Sequence, residues 1–167
     1  MHTRFLIAFV AALVLGPGCG DDGGGGPSAK SEGAEEPACE PVGSGGGTKI
    51  EAVLAEWSIT VSPASAPAGR ATFALRNDGK DAHEFVVVKG NRPDGLPVKD
   101  GKVDEEALPE GSFVGEVEPF PPGGSCQGTF ELAAGPYVLF CNIAENEPDG
   151  SLESHYQEGM RTAFTVQ

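Results

Sequence analysis

YVLFCNIAENEPDGSLESHYQEGMRTAFTV, residues 137–166, gathers a thiol, an imidazole and a thioether onto one loop between two strand-like runs. The donors are Cys141, His155 and Met160. Sulfur and nitrogen together suit zinc or copper; a thioether is a poor zinc ligand but a usual weak axial ligand for copper beside two imidazoles and a thiolate. One imidazole is then missing from the loop. Past the leader the chain has only one other histidine, His83, and it opens a further apolar run, HEFVVVKG. His83, Cys141, His155 and Met160 are therefore present once each, as one mononuclear copper site requires.

Three segments carry a resemblance to a known family: PAGRATFALRNDGKDAHEFVVV around His83, GPYVLFCN before the thiol, and HYQEGM, in which four residues separate His155 from Met160. Over residues 49–167 the sequence resembles the cupredoxins, the blue-copper proteins, and among them the plastocyanin- and sulfocyanin-like bacterial members. The resemblance implies a Greek-key β-sandwich and a type 1 copper ion held by His83, Cys141 and His155, with Met160 on the axis. Thirteen residues lie between Cys141 and His155, where most family members have only a few. Many members also carry asparagine where this chain has Glu84, so Glu84 either accepts a hydrogen bond that ties the two ligand loops together or is a solvated carboxylate. Asn142 follows the thiol, and its backbone N–H is expected to point toward the sulfur.

Composition agrees with an all-β fold. A chain of 167 residues suits one domain, and the part after residue 48 is long enough to bury its own core. The 25 glycines and 14 prolines, with almost no helical periodicity, favour short strands joined by turns. About eight strands are expected, over 49–56, 57–62, 70–76, 84–89, 112–118, 127–132, 137–142 and 161–166, forming an antiparallel sandwich. The continuous run Phe85 to Val88 reads as a central strand covered on both faces. Between residues 90 and 111, Pro93, Pro97 and Pro109 forbid a long regular element, leaving room for a helical turn or two over 103–108. Pro148, Asp149 and Gly150 read as a tight turn, so 143–154 leaves the donor loop and returns as an excursion that keeps Cys141 and His155 close.

Residues 1–19 read as an export signal, with Arg4 ahead of an apolar stretch too short to span a bilayer. LVLGPGCG also resembles a bacterial lipoprotein signal that would make Cys19 the lipid-modified first residue; a plain cleaved signal is the alternative. Residues 20–48 form a disordered Gly-, Pro- and Glu-rich tether, which reaches on the order of 30 Å as a flexible coil. The folded domain is expected over 49–167. With Cys19 lipidated and Cys141 on the metal, Cys39 and Cys126 remain to pair in a disulfide-permissive compartment; two free thiols or an intermolecular bond are the alternatives.

The reading that follows is an exported monomer at the outer face of a bacterial membrane or in the periplasm, acting as a one-electron carrier and not as an enzyme. Multicopper oxidation needs further His-rich motifs, and a dinuclear site needs a second cysteine beside Cys141. A copper-handling or copper-sensing protein is the alternative, although Met- or His-rich surface runs are absent. Loss of the leader with Arg4 leaves 10 basic residues against 25 acidic, a net charge of −15. Glu145, Glu147, Asp149 and Glu153 place some of it near the site. Such a surface disfavours nucleic acid and either suits redox partners that are basic, a cytochrome or a membrane oxidoreductase, or only maintains solubility.

Overall fold

In the computed structural model, which describes residues 39–167, the alternating segments become strands of two facing sheets. In chain order they are β1 (Thr48–Ala55), β2 (Ser58–Ser62), β3 (Ser65–Ala66), β4 (Gly69–Asn77), β5 (His83–Lys89), β6 (Val98–Lys99), β7 (Lys102–Val103), β8 (Phe113–Phe120), β9 (Ser125–Leu132), β10 (Gly135–Phe140), β11 (Ala144–Asn146), β12 (Leu152–Ser154) and β13 (Arg161–Val166). One sheet runs β2-β1-β4-β9 and the other β3-β13-β10-β5-β8; β6 with β7 and β11 with β12 make two small hairpins. The leader, the lipidation of Cys19 and tether residues 20–38 lie outside the described residues. Among those that are described, no helix is long and apolar enough to cross a membrane.

The period-two pattern explains the core. Ile50, Ala52 and Leu54 of β1, Ala71, Phe73 and Leu75 of β4, and Phe85, Val87, Tyr137, Leu139, Cys141 and Phe164 of the opposite sheet meet between the sheets. Phe73 stands at the centre, with ring centroids 5.0 Å from Phe85 and 5.4 Å from Phe164. The alternate residues Val86, Val88, Val138 and Phe140 face outward and form a second cluster with Val103, Tyr156, Leu96 and Leu108. The 90–111 segment is thus a cover for the outer face of β5 and β10. That is why the Phe85–Val88 run, in a strand flanked by β10 and β8, is apolar throughout. The expected helical turn is a single 3-10 turn, Glu105–Ala107.

Two features differ from the sequence expectation. The sandwich is not purely antiparallel: β1 pairs with β4 in parallel, and β13 with β3. After the β1–β2 hairpin the chain crosses to the second sheet as β3 before returning as β4, so β4 arrives in the direction of β1. Residues 39–47, read from composition as tether, are bonded to the domain. Cys39 is joined to Cys126, Val42 exchanges backbone hydrogen bonds with Gln127 and Thr129 of β9, and the Thr72 hydroxyl donates to the Gly46 carbonyl. Gly47, at φ +74°, passes so close to the Arg70 backbone that no Cβ fits.

Candidate metal centre

Both strand ends that carry donors lie at one pole of the sandwich. The antiparallel pairing of β10 with β5 sets Phe140 opposite Val86, so continuing it brings Cys141 to the end where β5 begins with His83. Pairing of β5 with β8 shifts register between His83 and Phe85, an irregularity of the kind that re-aims a side chain at a functional site. Cys141 belongs to the inward set with Tyr137 and Leu139, whereas the Asn142 side chain bonds Val103 of the outer cover.

The excursion closes on itself. β11 pairs with β12 from Ala144 opposite Ser154 to Asn146 opposite Leu152, and the tip turns with the Gly150 N–H donating to the Glu147 carbonyl at 2.9 Å. The His155 N–H then bonds the Ile143 carbonyl at 3.0 Å, so the chain returns to where it left. His155 opens a short helix, α1 (His155–Glu158), capped by the Ser154 hydroxyl, which accepts the Gln157 N–H at 3.2 Å. That hydroxyl also donates to the Gly101 carbonyl. Gly159 ends the helix at φ +122°. Met160 follows, its N–H on the His155 carbonyl at 2.9 Å and its carbonyl accepting the Cys141 N–H at 3.1 Å.

Three donors converge. The Nδ1 atoms of His83 and His155 are 3.3 Å apart, and Cys141 Sγ lies 3.2 Å from His155 Nδ1. All three donor atoms fall within 4.8 Å of one another. Among the described residues no other His, Cys, Asp or Glu cluster is grouped in this way. His83, Cys141 and Met160 have no exposed surface and His155 has 2%.

Electrostatics fit a cation. Burial, helped by the charges of Glu84 and Glu145 and opposed by backbone N–H groups of Glu84 and Ile143, pushes the Cys141 thiol up to about 12. Burial holds both histidines below their ordinary value; Glu56 opposes this at His83, and the neighbouring His83 adds to it at His155. Two neutral imidazoles and one buried thiol form a pocket in which a thiolate is costly unless a metal ion supplies the counter-charge. Soft sulfur with two imidazoles is the donor set that favours copper or zinc.

The residues around the donors correct one expectation. The Asn142 N–H donates to Glu84 Oε1 at 2.6 Å and not to the sulfur. Through this bond Glu84, the residue after His83, joins the segment that carries Cys141. The Asn142 side chain turns outward, donating to the Val103 carbonyl at 3.1 Å and to Glu105 Oε1 at 3.1 Å while accepting the Val103 N–H. Tyr156 similarly donates to the Pro93 carbonyl at 2.5 Å. Asn142, Ser154 and Tyr156 thereby lace the 90–111 cover to the donor loop.

Two neighbours were not anticipated. Glu56 accepts from His83 Nε2 at 3.1 Å, and the half-buried Trp57 ring packs on His155 with centroids 4.8 Å apart. Both sit at the β1–β2 turn, 27 residues before His83 in the case of Glu56. No local pattern links them to the ligands.

No protein-family model matches the sequence, and no curated protein does. Solved structures do. An auracyanin from the photosynthetic bacterium Roseiflexus castenholzii, in its dithionite-reduced form, is 25% identical at a TM-score of 0.51, covering 74% of this chain and 99% of its own. Auracyanin B is 20% identical at a TM-score of 0.56, covering 80% of this chain and 99% of its own. The chain accordingly has the cupredoxin fold, and the donors it brings to one pole fit a single type 1 copper ion.

Proposed function

We propose that the protein is a blue-copper one-electron carrier, held outside the cytoplasmic membrane by an N-terminal lipid on Cys19, and that it turns over no substrate. The carrying observation is the convergence of His83 Nδ1, His155 Nδ1 and Cys141 Sγ within 4.8 Å in a fully buried pocket. A copper ion bound there supplies one-electron exchange between Cu(I) and Cu(II). The protein's part is to keep the donors still. Backbone bonds fix Cys141, His155 and Met160 to one another, and Glu84 ties that loop to β5. Such a cage resists the rearrangement that each oxidation state would otherwise favour. Complete burial also argues for a resident ion and against delivery of copper to other proteins.

The partner reading rests on charge. Burial first, then the charges of Glu147, Asp81, Glu158 and Glu145, raise the Glu153 carboxyl, so these acidic groups lie in one another's field around His155. Trp57 supplies an aromatic contact over the same ligand. This face suits a basic redox protein, whose encounter rate falls steeply as salt rises.

The test is the visible spectrum of the purified chain with added Cu(II), before and after a mild reductant. An intense thiolate-to-copper band that bleaches on reduction is expected. Folded protein without such a band would overturn the reading.

A further inference from the structure

The carboxylate of Glu56 lies behind His83. Its Oε1 stands 3.1 Å from Nε2, the ring nitrogen remote from Cys141 and His155. The same oxygen accepts the backbone N–H groups of Lys80 at 2.7 Å and Asp81 at 3.0 Å, so the loop leading into β5 holds the carboxylate in place. Gly79 leaves the room for this. A Cβ there would lie 2.6 Å from His83 Nε2 and closer still to Glu56 Oε1. The second histidine has no equivalent, since Glu153 Oε1 is 3.9 Å from His155 Nε2, beyond hydrogen-bond reach.

We propose that Glu56 is a positioning residue of the metal centre, which by accepting the Nε2 proton of His83 aims its Nδ1 lone pair at the other donors and biases the bound ion toward its more highly charged state. The proposal rests on the copper reading above. A ligand imidazole whose far nitrogen donates to a carboxylate is fixed in tautomer and orientation and becomes a more basic donor. The negative charge stands one imidazole ring away from the donor atoms, and Cu(II) gains more from it than Cu(I) does. Glu56 therefore lowers the reduction potential. Because only one of the two histidines has such a partner, the effect enters through His83.

Three variants of the full chain separate this role from simple stability. Glu56→Gln keeps an oxygen for all three donors and removes the charge; Glu56→Leu removes the acceptor; Glu153→Gln removes a charge near the site that makes no such bond. In the metal-free protein, nitrogen-15 NMR should show a downfield, slowly exchanging Nε2 proton on His83 that moves in Glu56→Gln and is lost in Glu56→Leu. In the copper protein, Glu56→Leu should weaken Cu(II) binding about 10- to 100-fold. Glu56→Gln should lower the ratio of Cu(II) to Cu(I) affinity about tenfold, a rise of about 59 mV for a one-electron couple. Glu153→Gln should shift it less.

An unprotected Nε2 proton in the wild-type protein overturns the proposal whether or not copper binds. So does an equal shift in Glu153→Gln, which would make the effect one of bulk charge, or a lower melting temperature in Glu56→Gln with potential and NMR unchanged. A protected proton in a chain that shows no blue band would instead sink the electron-carrier reading and leave Glu56 as the residue that orients His83.

Discussion

The Asn142 N–H meets the Glu84 carboxylate at 2.6 Å, so the residue after one donor is tied to the residue after another. The bond spans the two strands at the pole where the metal donors gather. It also puts a carboxyl group where water reaches it poorly.

That placement has a pH signature in the metal-free protein. Burial first, with the charges of Glu116 and Glu105 adding and the Asn142 N–H and Lys102 opposing, raises Glu84 from 4.5 to about 7. Between these values the folded state keeps a proton that the unfolded chain has released. The contribution is thus fully present below pH 4.5 and is lost as pH rises through about 7. Glu84→Gln retains the acceptor without the charge. Its stability advantage over wild type should grow across that window to on the order of 2 to 3 kcal/mol. Urea titrations at a series of pH values measure it, and parallel curves for the two proteins would contradict it.

Cys141→Ser should abolish the intense visible band while leaving the fold intact, because the band needs a thiolate. With Met160 as the axial ligand that the resemblance implies, Met160→Leu should keep a coloured site and shift its potential, since a weak axial ligand tunes the site without creating it. Visible spectra and redox titration check both. A serine variant that stayed blue would remove Cys141 from the site.

Ser154 caps α1 at the residue before His155 and also reaches Gly101 of the cover. Ser154→Ala should cost about 2 kcal/mol in all, about half from the lost cap and the rest from the Gly101 carbonyl left without its donor. The same change should weaken copper binding, because the helix start that orients His155 loosens. Chemical unfolding of the metal-free form and a competition assay read the two effects separately; a variant with both unchanged would show the cap to be idle.

The Cys39–Cys126 link closes a span of 87 residues. Its removal in a double serine variant should cost about 2 to 5 kcal/mol. Hydrogen exchange should show residues 39–47 losing protection before the sheets do, since only a few backbone bonds then hold them to β9 and β4. Simultaneous loss everywhere would mean the segment is integral to the core.

Much of this was legible because the decisive signals are local or unique. The nearness of His155 to Cys141 was legible despite the long gap between them, because Pro148, Asp149 and Gly150 announce a turn and a turn brings the chain back. Phe85 to Val88 announced its own burial on both faces. Glu56 carried no signal, since its link to His83 depends on how the β1–β2 turn meets the loop before β5. The 39–47 segment reads differently for a related reason: apart from Cys39 and Val42 its hold on the domain is through backbone hydrogen bonds, and a Gly-rich composition says nothing about backbone pairing. The parallel pairing of β1 with β4 was hidden because it depends on a crossing between sheets, which strand periodicity does not encode.

The β11–β12 ladder has a consequence for how such a protein can diverge. Because Ala144 and Ser154 face each other across its base, the length and charge of everything beyond that pair can change without moving Cys141 or His155. Selection on the partner and selection on the metal can therefore act on separate parts of one loop.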